Sequence, residues 1–461
     1  MIIVSRSLIR ELKTVLSRGL GITSRQTGPP VEFLVDQHDL RIRTQNQQIA
    51  MEYRLPAAGL ENQHIVAPFG LLRCCHGTKS DPVQIQGQEK TIQAEWQDAG
   101  IPQSIEYPEV ECEGFPELPD QLEQNESRLM VALGDACETA TTDSARYALN
   151  HIQFSGARGQ IVVTDGRQLL VQSGFQFPWD GDLLVPANRL LISNDLGYSK
   201  SVEVGSDGKW LMLRSRNWTI WLKINTDARF PDIKDQFSSI AGTVATLSIT
   251  DGDAEFLKTA LKPRPYTSEE SDNVTLDLNG SITVRSREEG QERQCEYIQN
   301  RSKRSGEVIR INSNRNYLTR ALRLGFRNVY LSGADSPASC TDEFRTYVWA
   351  LFTQAGALVS QSDAVRIESR SMNAKAPRSR AKHGSNSSMT TAQTDSKRIS
   401  SETEQTCDPS PDQVLTQMRS LCGNLTETLS QTRELMSVLR EQSQDWNRTT
   451  STKYSCKPAE V

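Results

Sequence analysis

Short stretches in which apolar and polar residues alternate, separated by tight turns, fill most of the first 356 residues. Val274, Leu276 and Leu278 alternate with polar neighbours, Asn279-Gly280 forms a turn, and Ile282 and Val284 resume the alternation. Asn-Gly suits a type I′ turn because both central residues take positive φ. The same pattern turns at Asp165-Gly166, at Asp207-Gly208 and near Gly87. Strands joined in this way form antiparallel sheets. Between them lie helical patterns with apolar residues three and four apart: 5–20 after an opening strand, 126–140 and 253–264. Further helices are predicted to begin near Pro68, Pro186 and Asn314. The fold class is α+β.

The pattern repeats. Val66-Ala67-Pro68 precedes Leu71 and Leu72, and Val185-Pro186-Ala187 precedes Leu190 and Leu191, with Pro68 and Pro186 118 residues apart. Phe115-Pro116-Glu117 and Phe230-Pro231-Asp232 form a second pair, 115 residues apart from Pro116 to Pro231. Two landmarks at nearly one spacing predict three tandem domains of helix, strands, helix, strands, at 1–122, 123–240 and 241–356.

After 356 the pattern changes. Residues 357–409 are rich in Ser, Thr and charge and nearly free of large apolar groups, which predicts a disordered linker. The linker opens with Arg370, Lys375, Arg378, Arg380 and Lys382, which fit either a flexible phosphate-binding arm or a plain solubilising segment. Residues 410–446 begin with a capping box at Ser410 and Gln413 and carry Leu415, Met418, Cys422, Leu425, Leu429, Thr432, Met436 and Leu439 at 3,4 spacing, seven of the eight apolar. This amphipathic helix fits a coiled coil or a helix docked on the folded body. Residues 447–461 read as a disordered tail.

Composition sharpens this picture at two points. A 36% apolar fraction is low for 461 residues in one packed body and is explained by a dilute tail. The net charge of −5, from 52 basic and 57 acidic residues, does not favour nucleic acid, but placement matters more than the sum. Arg6, Arg10, Lys13 and Arg18 lie on the first helix, Lys258, Lys262 and Arg264 on or just after the third leading helix, and Arg315, Arg320 and Arg323 on the last. On one helix such residues fit an ordinary solvated face. Recurring through a repeated architecture, they point to a shared electropositive surface of the kind that meets nucleic acid.

Catalytic and metal chemistry find no support. The nine cysteines include no CxxC pair, and the five histidines show no paired ligand spacing. There is no GxGxxG after a strand, no GxSxG elbow, and Gly77-Thr78-Lys79-Ser80 lacks the upstream glycine of a phosphate loop. No cofactor and no enzyme activity are expected. No run of about 18 apolar residues exists and the first residues lack a signal-peptide core, so a cytoplasmic protein with no membrane contact is expected.

The segments RYALNHIQF, VVTDGRQLLV, DLLVPANRLL and ARFPDIKD, in that order, resemble the middle domain of the bacterial DNA polymerase sliding clamp, the beta subunit. EGFPELPD resembles the close of its first domain, and FRNVYLSGADSPASC and RTYVWALFTQAG its last strands. The resemblance covers residues 1–356. It implies three similar domains per chain and a head-to-tail homodimer ring, with helices lining the hole. Such a ring encircles double-stranded DNA without reading sequence and tethers DNA polymerase, clamp loader and repair proteins through short apolar peptides.

The DNA-facing set would be Arg6, Arg10, Lys13, Arg25, Arg73, Arg146, Tyr147, Lys258, Lys262, Arg264, Arg315, Arg320 and Arg323. The peptide cleft between the second and third domains would be lined by Leu149, Thr164, Gly166, Arg167, Leu169, Pro231, Pro337, Ser339, Val348, Leu351 and Phe352. The chain departs from the family in five respects, one of them a Trp349 bulkier than expected. Ala148 replaces an aromatic, and Lys234-Asp235-Gln236 replaces a basic-then-apolar run. Ala350-Leu351-Phe352-Thr353-Gln354 stands at the usual Met-Pro-Met-Arg-Leu ending, and about 105 residues follow. The tail could therefore cover the cleft. A clamp-derived scaffold that acts through its coiled coil, without encircling DNA, is the alternative.

Overall fold

The computed structural model describes residues 1–56, 61–88, 90–141, 147–197, 199–233, 242–262, 272–287 and 293–369. The basic linker run, the helix over 410–446, Arg146, Arg264 and Lys234 to Gln236 lie outside these residues.

One element order recurs three times with two departures: a 3-10 turn stands in place of the second helix of the second repeat, and the third repeat has an added strand at Lys303–Gly306. The first repeat runs β1 (Ile2–Ser5), α1 (Arg6–Gly19), β2 (Val31–Val35), β3 (Asp39–Gln45), β4 (Ile49–Pro56), β5 (Gln63–Ala67), α2 (Gly70–Cys75), β6 (Pro82–Gln88), β7 (Thr91–Asp98) and β8 (Ile101–Pro108). The second runs β9 (Leu122–Glu126), α3 (Arg128–Thr139), β10 (His151–Ser155), β11 (Gln160–Thr164), β12 (Gln168–Ser173), β13 (Asp182–Pro186), a 3-10 turn at Arg189–Ile192, β14 (Ser201–Ser206), β15 (Trp210–Ser215) and β16 (Trp218–Lys223). The third runs β17 (Ala245–Ser248), α4 (Asp251–Ala260), β18 (Asn273–Asp277), β19 (Ile282–Arg287), β20 (Gln294–Gln299), β21 (Lys303–Gly306), β22 (Arg310–Asn314), α5 (Arg315–Arg323), β23 (Asn328–Leu331), β24 (Ala338–Thr341) and β25 (Arg345–Trp349). Two further strands follow, β26 (Leu351–Phe352) and β27 (Val365–Glu368).

Local chemistry sets the helix ends. In α1, Ser5 Oγ accepts from the Leu8 amide, Ile9, Leu12, Val15 and Leu16 are buried, and Gly21 follows the last turn with φ +66°. Asn314 caps α5 in the same manner and Gly325 follows with φ +91°. The expected helix after Pro186 is only a 3-10 turn. Ser193, Asn194 and Asp195 follow immediately, and the Ser193 hydroxyl donates to the Leu190 carbonyl at 2.8 Å, an alternative to continued helix. The hairpin expected near Gly87 turns later, because β6 runs on to Gln88.

The first and second repeats each contribute two four-stranded antiparallel sheets, the third contributes one of four strands and one of five, with β21 added beside β17, and sheets of successive repeats fuse. The fourth strand of the first repeat, β4, pairs with the last strand of the second, β16, as Ala50↔Trp221 and Met51↔Ile220. The fourth strand of the second, β12, pairs with the last strand of the third, β25, as Leu169↔Val348 and Leu170↔Tyr347. The resulting sheets run β5-β2-β3-β4-β16-β15-β14-β9 and β13-β10-β11-β12-β25-β24-β23-β17-β21, flanked by β1-β6-β7-β8 and β26-β22-β18-β19-β20-β27. Alternation divides each strand between two faces. Ile161, Val163, Leu170, Tyr347 and Trp349 belong to the large core, whereas Val162, Leu169, Val171 and Val348 form a separate apolar cluster.

Residues 357–369 correct the expected start of the disordered linker. Composition hides this because the segment is held by hydrogen bonds, with Val365–Glu368 exposed throughout. Among the described residues no helix is long and apolar enough to cross a membrane.

Candidate nucleic-acid face and peptide cleft

The helices form one row. α2 packs on α1, α1 on the Arg189–Ile192 turn, that turn on α3, and α4 on α5. Gly134 lets the turn approach α3, since a Cβ there would lie 3.1 Å from the Leu191 carbonyl oxygen. Arg320 of α5 links the row to α3: its guanidinium donates to the Asp135 carbonyl at 2.7 Å and forms ion pairs with the Asp135 and Glu138 carboxylates. Burial pushes the Asp135 carboxyl up, against the pull of Arg320 and Arg345.

The expected DNA-facing residues divide sharply on this row. Arg6 is buried; it donates to the carbonyls of Cys75, His76 and Gln97 and pairs with Asp98 at 2.9 Å. Arg315 and Arg320 are buried as well. These three are corrections to the expected set, because their side chains are committed inside the fold and present no charge to a phosphate. Lys258 pairs with Glu255. Tyr147 is half-buried.

A basic cluster remains where α1 meets α2. Arg10 is exposed, and Lys13 and Arg73 are half-buried beside it. Burial, then the neighbouring Arg73 and Arg10 guanidiniums, hold the Lys13 ammonium below its usual range. Burial and the charges of Lys13, Arg6 and Arg10 likewise lower His76. Arg73 lies over the Phe69 ring and donates to the Thr23 and Ser24 carbonyls at 3.0 and 3.2 Å. It thereby positions the loop that carries exposed Arg25. Lys262 and Arg323 are exposed at the far end of the row. Arg189, exposed on the central turn, was missed by sequence reasoning although it lies within the DLLVPANRLL motif.

At the cleft the sheet brings expected residues into register. Thr164 pairs with Leu169, Leu169 with Val348, and Val348 with Ser339, a row across β11, β12, β25 and β24. Thr164, Leu169, Ser339 and Val348 are all buried. Gly166 turns with φ +92°, which favours glycine, and Leu149 Cδ1 lies 3.6 Å from where a Cβ would stand. The Thr164 hydroxyl accepts from the Gly166 amide at 3.0 Å and donates to the Gln168 carbonyl at 2.6 Å. The Arg167 carbonyl accepts from the Ala350 amide at 2.8 Å. Leu351 and Phe352 depart from the row, pairing instead with Ser313 and Asn312 of β22. Pro231 and Pro337 are half-buried.

Sequence reasoning missed Val162 and Val171, which complete the apolar floor, and Phe230 and Ile233, which pack onto it. Alternation in β11 and β12 carried the signal for the two valines. A further cluster, Glu32, His64 and Cys112, has ligand-type atoms all within 4.8 Å, with His64 Nε2 2.8 Å from Glu32 Oε1. These residues come from three separate segments, so spacing concealed them. They are the group that could hold a metal ion among the described residues.

No family model matches the sequence, and no curated protein does. Solved structures do. The DNA polymerase III subunit beta from Pseudomonas aeruginosa aligns with a TM-score of 0.62 at 18% identity, over 76% of this chain and 99% of that one. A putative DNA polymerase III beta subunit from Eubacterium rectale aligns with a TM-score of 0.62 at 12% identity, over 76% and 98%. A Pseudomonas aeruginosa sliding clamp bound to griselimycin aligns with a TM-score of 0.62 at 17% identity, over 76% and 99%. With its repeated sheets and single row of helices, the chain is a divergent protein of the sliding-clamp fold.

Proposed function

We propose that the protein is a sliding clamp: two copies close head to tail around duplex DNA and tether replication or repair proteins without catalysing a reaction. The carrying observation is the helix row, which gathers Arg10, Lys13, Arg25 and Arg73 at one end and Lys262 and Arg323 at the other. Cations presented along the helix row meet phosphates by charge alone, which supports binding without base readout and allows sliding. The apolar row through Leu169 and Val348 is the proposed seat for partner peptides. Its floor supplies burial, and the polar groups at its margin supply orientation. The test is topological. The protein should stay on nicked circular DNA and run off the same DNA once linearised, and equal loss from both would sink the clamp reading.

A second reading is a clamp-derived scaffold that does not encircle DNA. Two observations favour it: α3 carries Asp135 and Glu138 at the centre of the row, and β27 occupies an edge of the third repeat.

A further inference from the structure

The two fusions inside the chain obey one rule: the fourth strand of a repeat pairs with the last strand of the next. Applied once more, the rule leaves two strands over, β20 of the third repeat and β8 of the first. A second copy would bring its β8 to β20. That edge of β20 is taken. β27 lies on it in parallel, with Cys295↔Val365, Glu296↔Arg366, Tyr297↔Ile367 and Ile298↔Glu368 as partners.

The segment leading to β27 wraps the sheet from edge to edge. β26 pairs with β22 at the far edge. The chain then crosses the face: the Thr353 and Gly356 carbonyls accept from the Asn312 and Asn273 amides at 2.7 Å each, and the Leu358 amide donates to Thr275 Oγ1 at 2.8 Å. At the near edge Arg366 Nε reaches Glu296 Oε2 at 3.1 Å, Asn300 Nδ2 donates to the Glu368 carboxylate at 3.0 Å, and the Ser369 amide donates to the Ile298 carbonyl at 3.0 Å.

We propose that residues 353–369 form a strap whose last strand, β27, closes the β20 edge, so that a second copy pairs its β8 there only after β27 lifts away. This rests on the two-copy reading above. Four features make β27 displaceable. It is four residues long, it pairs in parallel, and it is exposed along its whole length. Its apolar residues, Val365 and Ile367, remain 44% and 39% exposed. The competitor, β8, is eight residues long, and its counterparts in the two junctions inside the chain, β16 and β25, pair antiparallel. Pro102 and Pro108 cannot donate toward β7, so the main-chain groups of alternate residues from Pro102 to Pro108 face outward and leave the Ser104 and Glu106 amides as donors. The competing edge is modest, which suits an equilibrium between strap and partner.

The test uses the full chain. Ile367→Pro removes a main-chain donor from β27 and leaves β20 and β8 intact. Val365→Cys places a thiol opposite native Cys295, so that mild oxidation locks the strap, with the oxidised unmodified chain controlling for exposed Cys74 and Cys112. Sedimentation equilibrium should show I367P self-associating about tenfold more tightly than the unmodified chain. Oxidised V365C should be monomeric and should recover on reduction, and Ser104→Pro added to I367P should abolish the gain. If all forms dimerise equally while amides 365–369 stay protected from hydrogen exchange, the strap inference falls and the two-copy reading stands. If I367P and reduced V365C are both monomeric at every concentration, the two-copy reading falls and takes the strap with it. Should I367P fail to fold, the oxidised and reduced V365C pair decides between the same outcomes.

Discussion

Leu169 of β12 and Val348 of β25 face each other as Cα partners across the strand pair that joins the second repeat to the third. Leu169 is wholly buried and Val348 nearly so, and both sit on the sheet face away from the main core, beneath Phe230 and Ile233. One residue pair thus belongs to a structural seam and to the proposed peptide seat. Leu169→Ala should lower unfolding stability by about 2–5 kcal/mol, as a cavity in a packed cluster does. Chemical denaturation with a two-domain readout would check it, and a loss near zero would mean that the cluster collapses freely.

The lid over that cluster gives a second prediction. Phe230→Ala with Ile233→Ala should expose the apolar floor and tighten binding of a short apolar peptide, measured by fluorescence anisotropy. Weaker binding would make the two residues peptide contacts instead of a cover.

Arg320 differs from its helix neighbour Arg323 in where its charge goes. Removing it by Arg320→Met leaves the half-buried Asp135 carboxylate without its ion-pair partner, and stability should fall by about 2 kcal/mol. Arg323→Ala, at an exposed site, should change stability little. Thermal melts of the two variants separate the roles.

On α1 the same contrast separates structure from binding. Charge reversal at Arg10 should weaken DNA binding uniformly across sequences and flatten the salt dependence, by a slope of about 0.9 for each phosphate no longer neutralised. Arg6→Ala should destabilise the first repeat by leaving three carbonyls without their donor, while the salt slope of the folded protein stays unchanged. DNA titrations at several salt concentrations would distinguish the two.

The sheet under the strap holds a buried charge network. Arg285 donates to Asp277 at 2.8 Å and to Glu296 at 2.9 Å, while Arg310 and Arg366 reach the same two carboxylates from the sides. Burial pushes both carboxyls up, but hydrogen bonds from Arg285 and its neighbours overcome it and hold both below their usual range. Groups depressed in the folded state stabilise above their unfolded values and lose that contribution as pH falls through the folded ones. Stability of the third repeat should therefore hold at neutral pH and fall below about pH 4. Glu296→Gln should reduce that acid-sensitive step, as followed by urea midpoints between neutral and acid pH.

Much of the fold was legible because its signals are local. Alternation with Asn279-Gly280 and Asp165-Gly166 marked hairpins, and Ser5 and Gly21 bracket a helix whose apolar spacing faces the core. The cleft was legible in part. Thr164, Leu169, Ser339 and Val348 came into one row, but Leu351 and Phe352 went to another sheet. Two residues beyond β25 the chain chooses between sheets, and only the partner strand β22 decides it.

The sequence by itself determined the threefold repeat, the leading helix and hairpins within each unit, and the basic character of α1, since each depends on neighbours a few residues away. Tertiary structure alone decided which cations are available and what the segment after the third repeat does. Arg6 and Arg10 are one helical turn apart on the same helix, yet carbonyls from α2 and β7 enclose the first and leave the second in solvent. Residues 357–369 look unfit for a core and have none, but a sheet edge offers main-chain partners that no composition records. Burial of charge and occupancy of an edge are set by residues distant in sequence, and those interactions exist only once the chain has folded.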